Sequence, residues 1–189
     1  RDEMRRELAA LQVKLGIAFI FVTHDQDEAM SLASRLVVMN EGRIEQSGPP
    51  RAVYERPETR YVADFLGRAN LIHGRVTGRE GGRLLIESDV PGVVLRAPDD
   101  PAVTAGMEVW LAIRPENISL GIDDRANTLS GVVSDVDYAG DLSRYTVAVG
   151  EGMSLRLTQP NRAGGPPGPT RETRVTLGWP AEAGVVLTR

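Results

Sequence analysis

Apolar positions along residues 1–69 follow helical and strand spacings in turn, and from residue 70 onward they follow a period of two. Met4, Leu8, Leu11 and Leu15 predict one face of a helix, with Asp2 and Arg6 at i,i+4 on its exposed side. Gly16 leads out of it. Ile17 through Val22 is a continuous apolar run with β-branched and aromatic members, which predicts a strand covered on both faces in a parallel sheet. A second helix comes at once after it. Asp25 is placed to cap it, Glu28 to reach back in a capping box, and Ala29, Met30, Leu32 and Ala33 to form its buried face.

Leu36–Met39 and Arg43–Gln46 flank Asn40-Glu41-Gly42 and predict a tight hairpin, closed by "SGPP" at 47–50. A helical turn around Arg51–Glu55 stops at Pro57. A further helix carries Tyr61, Val62, Phe65 and Leu66 on one face and ends at Gly67. The first region is therefore α/β. Beyond Asn70, short strands are predicted at 71–77, 83–87, 93–96, 108–113, 131–138, 145–149, 153–157, 174–179 and 184–188, with a hairpin around "GEG" at 150–152. This run of strands without a helix predicts a small β-barrel or a pair of them, with Trp110 and Trp179 in the core. "NRAGGPPGPTRET" at 161–173 cannot lie within a sheet and predicts a mobile loop. No residue-level repeat stands out.

Composition removes several classes of function. Hydrophobic residues make up 41% and charged residues 25%, and no apolar run nears the roughly 20 residues that cross a bilayer. The net charge is −4 with scattered basic residues, which argues against nucleic acid as a partner. There is no cysteine, so disulfides, thiolate metal sites and cysteine nucleophiles are excluded. The charged, helix-patterned N-terminus is not a signal peptide, and the cytoplasm is the expected compartment.

That leaves the chemistry to "FIFVTHDQDEAM", residues 19–30, which holds one of only two histidines. His24 falls at the carboxyl end of the predicted strand, on a strand-to-helix turn, where open α/β sheets bind ligands. His73 is expected at a solvent edge rather than as a ligand. Arg114 and Glu116 bracket Pro115 and are expected to be a structural turn pair, with an interdomain contact as the less favoured reading.

The stretch from "RDEMRRELAALQVKLG" through "IAFIFVTHDQDEAMSLASRLVVMNEGRIEQSGPPRAVYERPETRYVADFLGRANLI" resembles the carboxyl-terminal part of the nucleotide-binding domain of ATP-binding-cassette (ABC) import ATPases. The remainder of the chain resembles the oligonucleotide-fold-like accessory domain that such subunits carry. The resemblance implies an α/β segment at 1–69 and an all-β, OB-like barrel domain at 70–189. It makes His24 the switch histidine, contacting the γ-phosphate of ATP and helping to hold the attacking water. Imidazole suits that task, because it donates a hydrogen bond to a phosphoryl oxygen or to water from a fixed position. Asp25 then supports the His24 loop besides capping the helix, while Asp27 and Glu28 form a solvated first turn.

The resemblance further implies ATP and Mg²⁺ as cofactors, but through motifs this chain does not contain. A G-x-x-x-x-G-K-[ST] loop and a carboxylate pair after an apolar strand are both missing. "LSG" at 129–131 continues into Val132 and Val133 as a strand, and "LLIESD" at 84–89 is a strand and turn, so neither replaces them. The chain is thus expected to be the rear of a longer ATPase, inactive alone. Implied partners are membrane-spanning subunits, a second ATPase subunit and, indirectly, a substrate-binding protein, at the cytoplasmic face of the membrane. "VWLAIRPENISL" resembles the strand and turn of sugar and polyamine importers, while "DYAGDLSRYTVAVGEGMSLRL" and "RVTLGWPAEAGVVL" resemble more closely the spermidine/putrescine and related ferric-iron or phosphonate group, so that a polyamine-type importer is expected. Two alternatives remain for the barrel: a non-catalytic dimerisation or regulatory module, or a small-oxyanion-binding module.

Overall fold

The computed structural model describes residues 7, 10, 11, 14–121, 127–164 and 167–189. Glu7, Ala10, Leu11, Lys14 and Leu15 are helical, and Gly16 comes next with φ +64°. Met4, Leu8, Asp2 and Arg6, the other positions expected on that helix, lie outside the described residues. Further along the chain are α1 (Gln26–Leu32), β1 (Leu36–Asn40), β2 (Arg43–Gly48), α2 (Pro50–Glu55) and α3 (Arg60–Phe65). β1 and β2 form the expected antiparallel hairpin. Leu36, Val38, Val53, Val62 and Leu66 make a small core beneath it, with Ala29 and Met30 packed against its edge.

All nine strands expected after residue 70 are present: β3 (Asn70–Glu80), β4 (Arg83–Ser88), β5 (Val94–Pro98), β6 (Glu108–Ile113), β8 (Asn127–Tyr138), β9 (Leu142–Gly150), β10 (Met153–Pro160), β11 (Arg174–Trp179) and β12 (Gly184–Leu187). A two-residue strand, β7 (Ser119–Leu120), joins them. They form two five-stranded sheets, in the orders β12-β6-β3-β4-β5 and β10-β9-β8-β11-β7. Within each sheet three consecutive strands form a meander and the fourth returns beside the first, which is a Greek key. The fifth place is taken by a strand from the other half of the sequence: β12 pairs with β6, and β7 pairs with β11.

The two sheets are therefore two copies of one unit, contrary to the expectation of no repeat. "NLIHGRV" at 70–76 corresponds to "NTLSGVV" at 127–133. Asn70 lies opposite Ile113, and Asn127 opposite Trp179. The ladder slips after Val76 in one copy and after Val133 in the other. A Cβ at Gly74 would stand 2.5 Å from the Glu87 carbonyl oxygen, and one at Gly131 2.5 Å from that of Ala148, so both positions admit only glycine without movement of the neighbouring strand. Pairwise identity in the motif is confined to Asn, Gly and Val, too little to stand out among other strands.

The copies hold each other by the same device. The buried Asn70 amide accepts from the Arg156 N–H at 2.7 Å and donates to its carbonyl at 2.8 Å. The buried Asn127 amide does the same to Arg96, at 2.6 and 2.8 Å. Each asparagine thus behaves like one more backbone unit of a sheet, joining the first strand of one copy to the third strand of the other, with no polar atom of the clamp left unpaired. Between them lies a single core to which both sheets contribute, including Ile72, Leu84, Ile86, Leu95, Leu111, Val147, Leu155, Leu177 and Trp179.

Trp179 is fully buried, as expected. Trp110 is not in that core. It faces the opposite side of its sheet, half-buried, with the Arg60 guanidinium 3.9 Å over its ring and His73 tilted against it at 4.7 Å. The alternation of β6 itself puts Trp110 on the face opposite Val109, Leu111 and Ile113, so its size and not its place in the strand suggested the core. The 161–173 stretch is free of strand where described, but it is anchored: the Glu172 N–H donates to the Val133 carbonyl at 2.8 Å and the Val133 N–H to the Thr173 carbonyl at 3.0 Å.

Candidate functional site

Residues 17–23 do not form a strand. Among the described residues no strand lies beside them, and Phe19, Phe21 and Val22 are exposed, with Ile20 at 95%. An apolar run states a preference for a covered strand, yet a strand exists only where a neighbour takes up its N–H and C=O groups. Among the described residues the expected parallel sheet is not formed.

His24 comes after this segment on a turn and is exposed. Its flanks are fixed locally. The Asp25 carboxylate accepts from the Glu28 N–H at 3.1 Å, which is the expected N-cap. The expected capping box is altered: Glu28 reaches back to accept from the Thr23 hydroxyl at 2.9 Å, and it is the Thr23 oxygen that accepts from the Asp25 N–H at 3.0 Å. Thr23 has taken the acceptor role because its oxygen reaches the same N–H from two residues upstream. The result brackets His24 between two residues bonded to each other, so the backbone under the imidazole is fixed while the ring faces outward.

The next residue but one, Gln26, ties the turn to the rest of the chain. Its side-chain oxygen accepts from the Gly67 N–H at 3.0 Å, just past the end of α3. Gly67 has φ +82°, and a Cβ there would stand 2.7 Å from the Tyr54 ring. That ring also carries the Arg114 guanidinium, 3.9 Å from its centroid. Arg114 is only 7% exposed, and it donates to the carbonyls of Ala63 at 2.9 Å, of Tyr54 at 2.6 Å and of Leu66. The Tyr54 hydroxyl in turn donates to Glu116 at 2.7 Å. Burial, and then this bond to Glu116, push the Tyr54 phenol up to about 12, while burial pulls the Arg114 guanidinium below its ordinary value.

Arg114 is thus not a surface turn pair with Glu116. Its planar fork satisfies carbonyls at the end of α3 that the helix itself leaves open. A signal for this was available: an arginine directly continuing the apolar strand "VWLAI" has little route to solvent. His73 is half-exposed, though in the central strand of its sheet rather than at an edge, with its ring nitrogens 2.8 Å from Asp89 and 3.3 Å from Glu108. "LSG" and "LLIESD" lie in β8 and in β4 with its adjoining turn, as expected. Among the described residues no group of three His, Cys, Asp or Glu is placed to hold a metal ion. None of the described helices is long and apolar enough to cross a membrane.

Residues 111–187 match the model of the TOBE domain. A spermidine/putrescine import ATP-binding protein PotA of a Nostoc species is 40% identical over 184 residues, covering 95% of this chain and 48% of that protein. The protein of the same name from Chromobacterium violaceum is 37% identical, covering 100% and 53%. The chain is homologous to the carboxyl-terminal portion of ABC-importer ATP-binding subunits. It spans about half the length of the curated relatives it matches. Among solved structures, the cytoplasmic molybdate-binding protein ModG superposes with a TM-score of 0.54 at 18% identity, over 62% of this chain and 94% of that one. At that identity the likeness concerns the fold, an OB-like accessory domain of two linked sheets.

Proposed function

We propose that this chain supplies the switch histidine and the accessory domain of an ATP-binding subunit that powers polyamine import. The division runs at residue 69/70, with the α/β part ahead of it and the barrel behind. The observation that carries the reading is the His24 turn: an exposed imidazole on a hydrogen-bonded turn leading into α1, in a chain 40% identical to proteins named for spermidine and putrescine import.

The residues present fit part of what ATP needs. His24 is open to a γ-phosphate oxygen or a water molecule, and as a hydrogen-bond donor its imidazole favours charge building up there. Asp25 holds the turn under it. The phosphate cradle and the ligands of Mg²⁺ belong to residues outside this chain, and Mg²⁺ when bound neutralises phosphate charge. Turnover therefore belongs to the complete subunit, paired with a second copy and docked on membrane-spanning subunits at the cytoplasmic face, with a substrate-binding protein delivering cargo.

In the importer reconstituted in vesicles, spermidine-loaded binding protein is expected to stimulate ATP turnover by the subunit containing this chain. His24→Ala is expected to retain ATP binding and lose the stimulated turnover. Stimulation by a sugar and not by spermidine contradicts the substrate class, and full turnover by His24→Ala contradicts the role of the histidine.

A further inference from the structure

We propose that Arg114 is a positioning residue for His24, the point at which the barrel sets the orientation of the switch-histidine turn. The inference rests on the proposed role of His24. Its basis is an unbroken line of contacts between two regions far apart in sequence. The Arg114 fork, at the end of β6, grips the carbonyls of Ala63 and Leu66 at the end of α3 and that of Tyr54 at the end of α2. The next N–H after Leu66, that of Gly67, donates to Gln26. Gln26 is two residues from His24 and opens the helix whose cap, Asp25, fixes the turn.

The geometry leaves little slack along this line. The Tyr54 ring lies against Gly67, where a Cβ would stand 2.7 Å from it, and it carries the Arg114 guanidinium 3.9 Å from its centroid. Gly67 lacks the side chain that would push the ring away, and its N–H donates to Gln26. Displacing the guanidinium therefore frees the ring, the end of α3 and the partner of Gln26 together. A lysine cannot substitute, because a single ammonium does not reproduce a planar fork shared among three carbonyls and a ring face. Strong positional dependence of phosphoryl transfer gives such a shift kinetic weight: the histidine acts by where it stands.

Two readouts test this. In the 189-residue chain, His24 and His73 are the only histidines, so a His73→Gln variant assigns the two ring resonances. Arg114→Lys is expected to move the His24 ring resonance and to speed hydrogen exchange at the Gly67 amide, and Gln26→Ala is expected to do the same. In the complete subunit, at a temperature where each variant is folded, Arg114→Lys is expected to lower kcat about tenfold with KM for ATP unchanged. Combining it with Gln26→Ala should add little further loss, since both cut one path. An unmoved His24 resonance and an unchanged kcat in Arg114→Lys, alongside collapse of turnover in His24→Ala, overturn the inference and leave the histidine's role standing. Unchanged turnover in His24→Ala overturns that role, and the inference with it.

Discussion

The stretch from residue 17 to 69 and the barrel from 70 onward use similar apolar residues to opposite effect. In the barrel, the inward residues of both sheets meet in one core, and the open ends of each Greek key are taken up by a strand and an asparagine from the other copy. In the front part, Ile17, Phe19, Phe21 and Val22, with Val37, Met39 and Ile44 on the outer face of the β1–β2 hairpin, all stay exposed. The difference shows that an apolar strand pattern fixes what a segment needs, while the availability of a neighbour decides what it becomes. The front part holds its place through its own small core and through the grip of Arg114, Tyr54 and Gln26.

The largest test of this contrast is Trp179→Ala. Emptying the centre of the shared core is expected to cost about 3–5 kcal/mol and to unfold both copies in one transition, measured by thermal denaturation. Two separate transitions would break the picture of a single core. Gly74→Ala and Gly131→Ala come next. Each drives a methyl against a backbone carbonyl of the adjacent strand, at an expected cost of about 1–3 kcal/mol in denaturant unfolding. Similar losses at the two positions support the repeat, and a neutral result at either one dissolves it.

Asp25→Ala is expected to cost about 1 kcal/mol, and only in the front part, because it removes the cap of α1. Near-ultraviolet signals of the barrel should be unchanged while helical exchange in α1 rises. The smallest effect is one of pH. Tyr54 is held protonated in the folded state, with its pKa raised from 10.0 to about 12, so its contribution is whole below pH 10 and is lost as the pH rises from 10 toward 12. In Tyr54→Phe, stability measured across that window should no longer carry this decline.

Much of this architecture was legible in the sequence, and the exceptions share a cause. The strands, the hairpins and the Asp25 cap arise from alternation and turn chemistry, which are local. The repeat was hidden because equivalent strands keep only Asn, Gly and Val in common, and the Asn and Gly are required by neighbours that are distant in sequence. At Arg114 the sequence favours a turn pair over the interdomain contact for the same reason, as the groups it satisfies are at Tyr54, Ala63 and Leu66. Trp110 obeys the period of its strand but not the expected burial, which depends on Arg60 lying across it. His24 stood out in the sequence; the Gln26 tie that holds its turn to α3 did not.

Hydrogen exchange on the 189-residue chain, resolved along the backbone, tests the contrast most directly. The amides of β3–β6 and β8–β11 are expected to exchange only through global unfolding, while those of residues 17–23 exchange nearly as fast as an unstructured peptide. Protection of residues 17–23 as strong as that of the barrel would contradict the account, since it would mean that the apolar run before His24 already has the neighbours its pattern calls for.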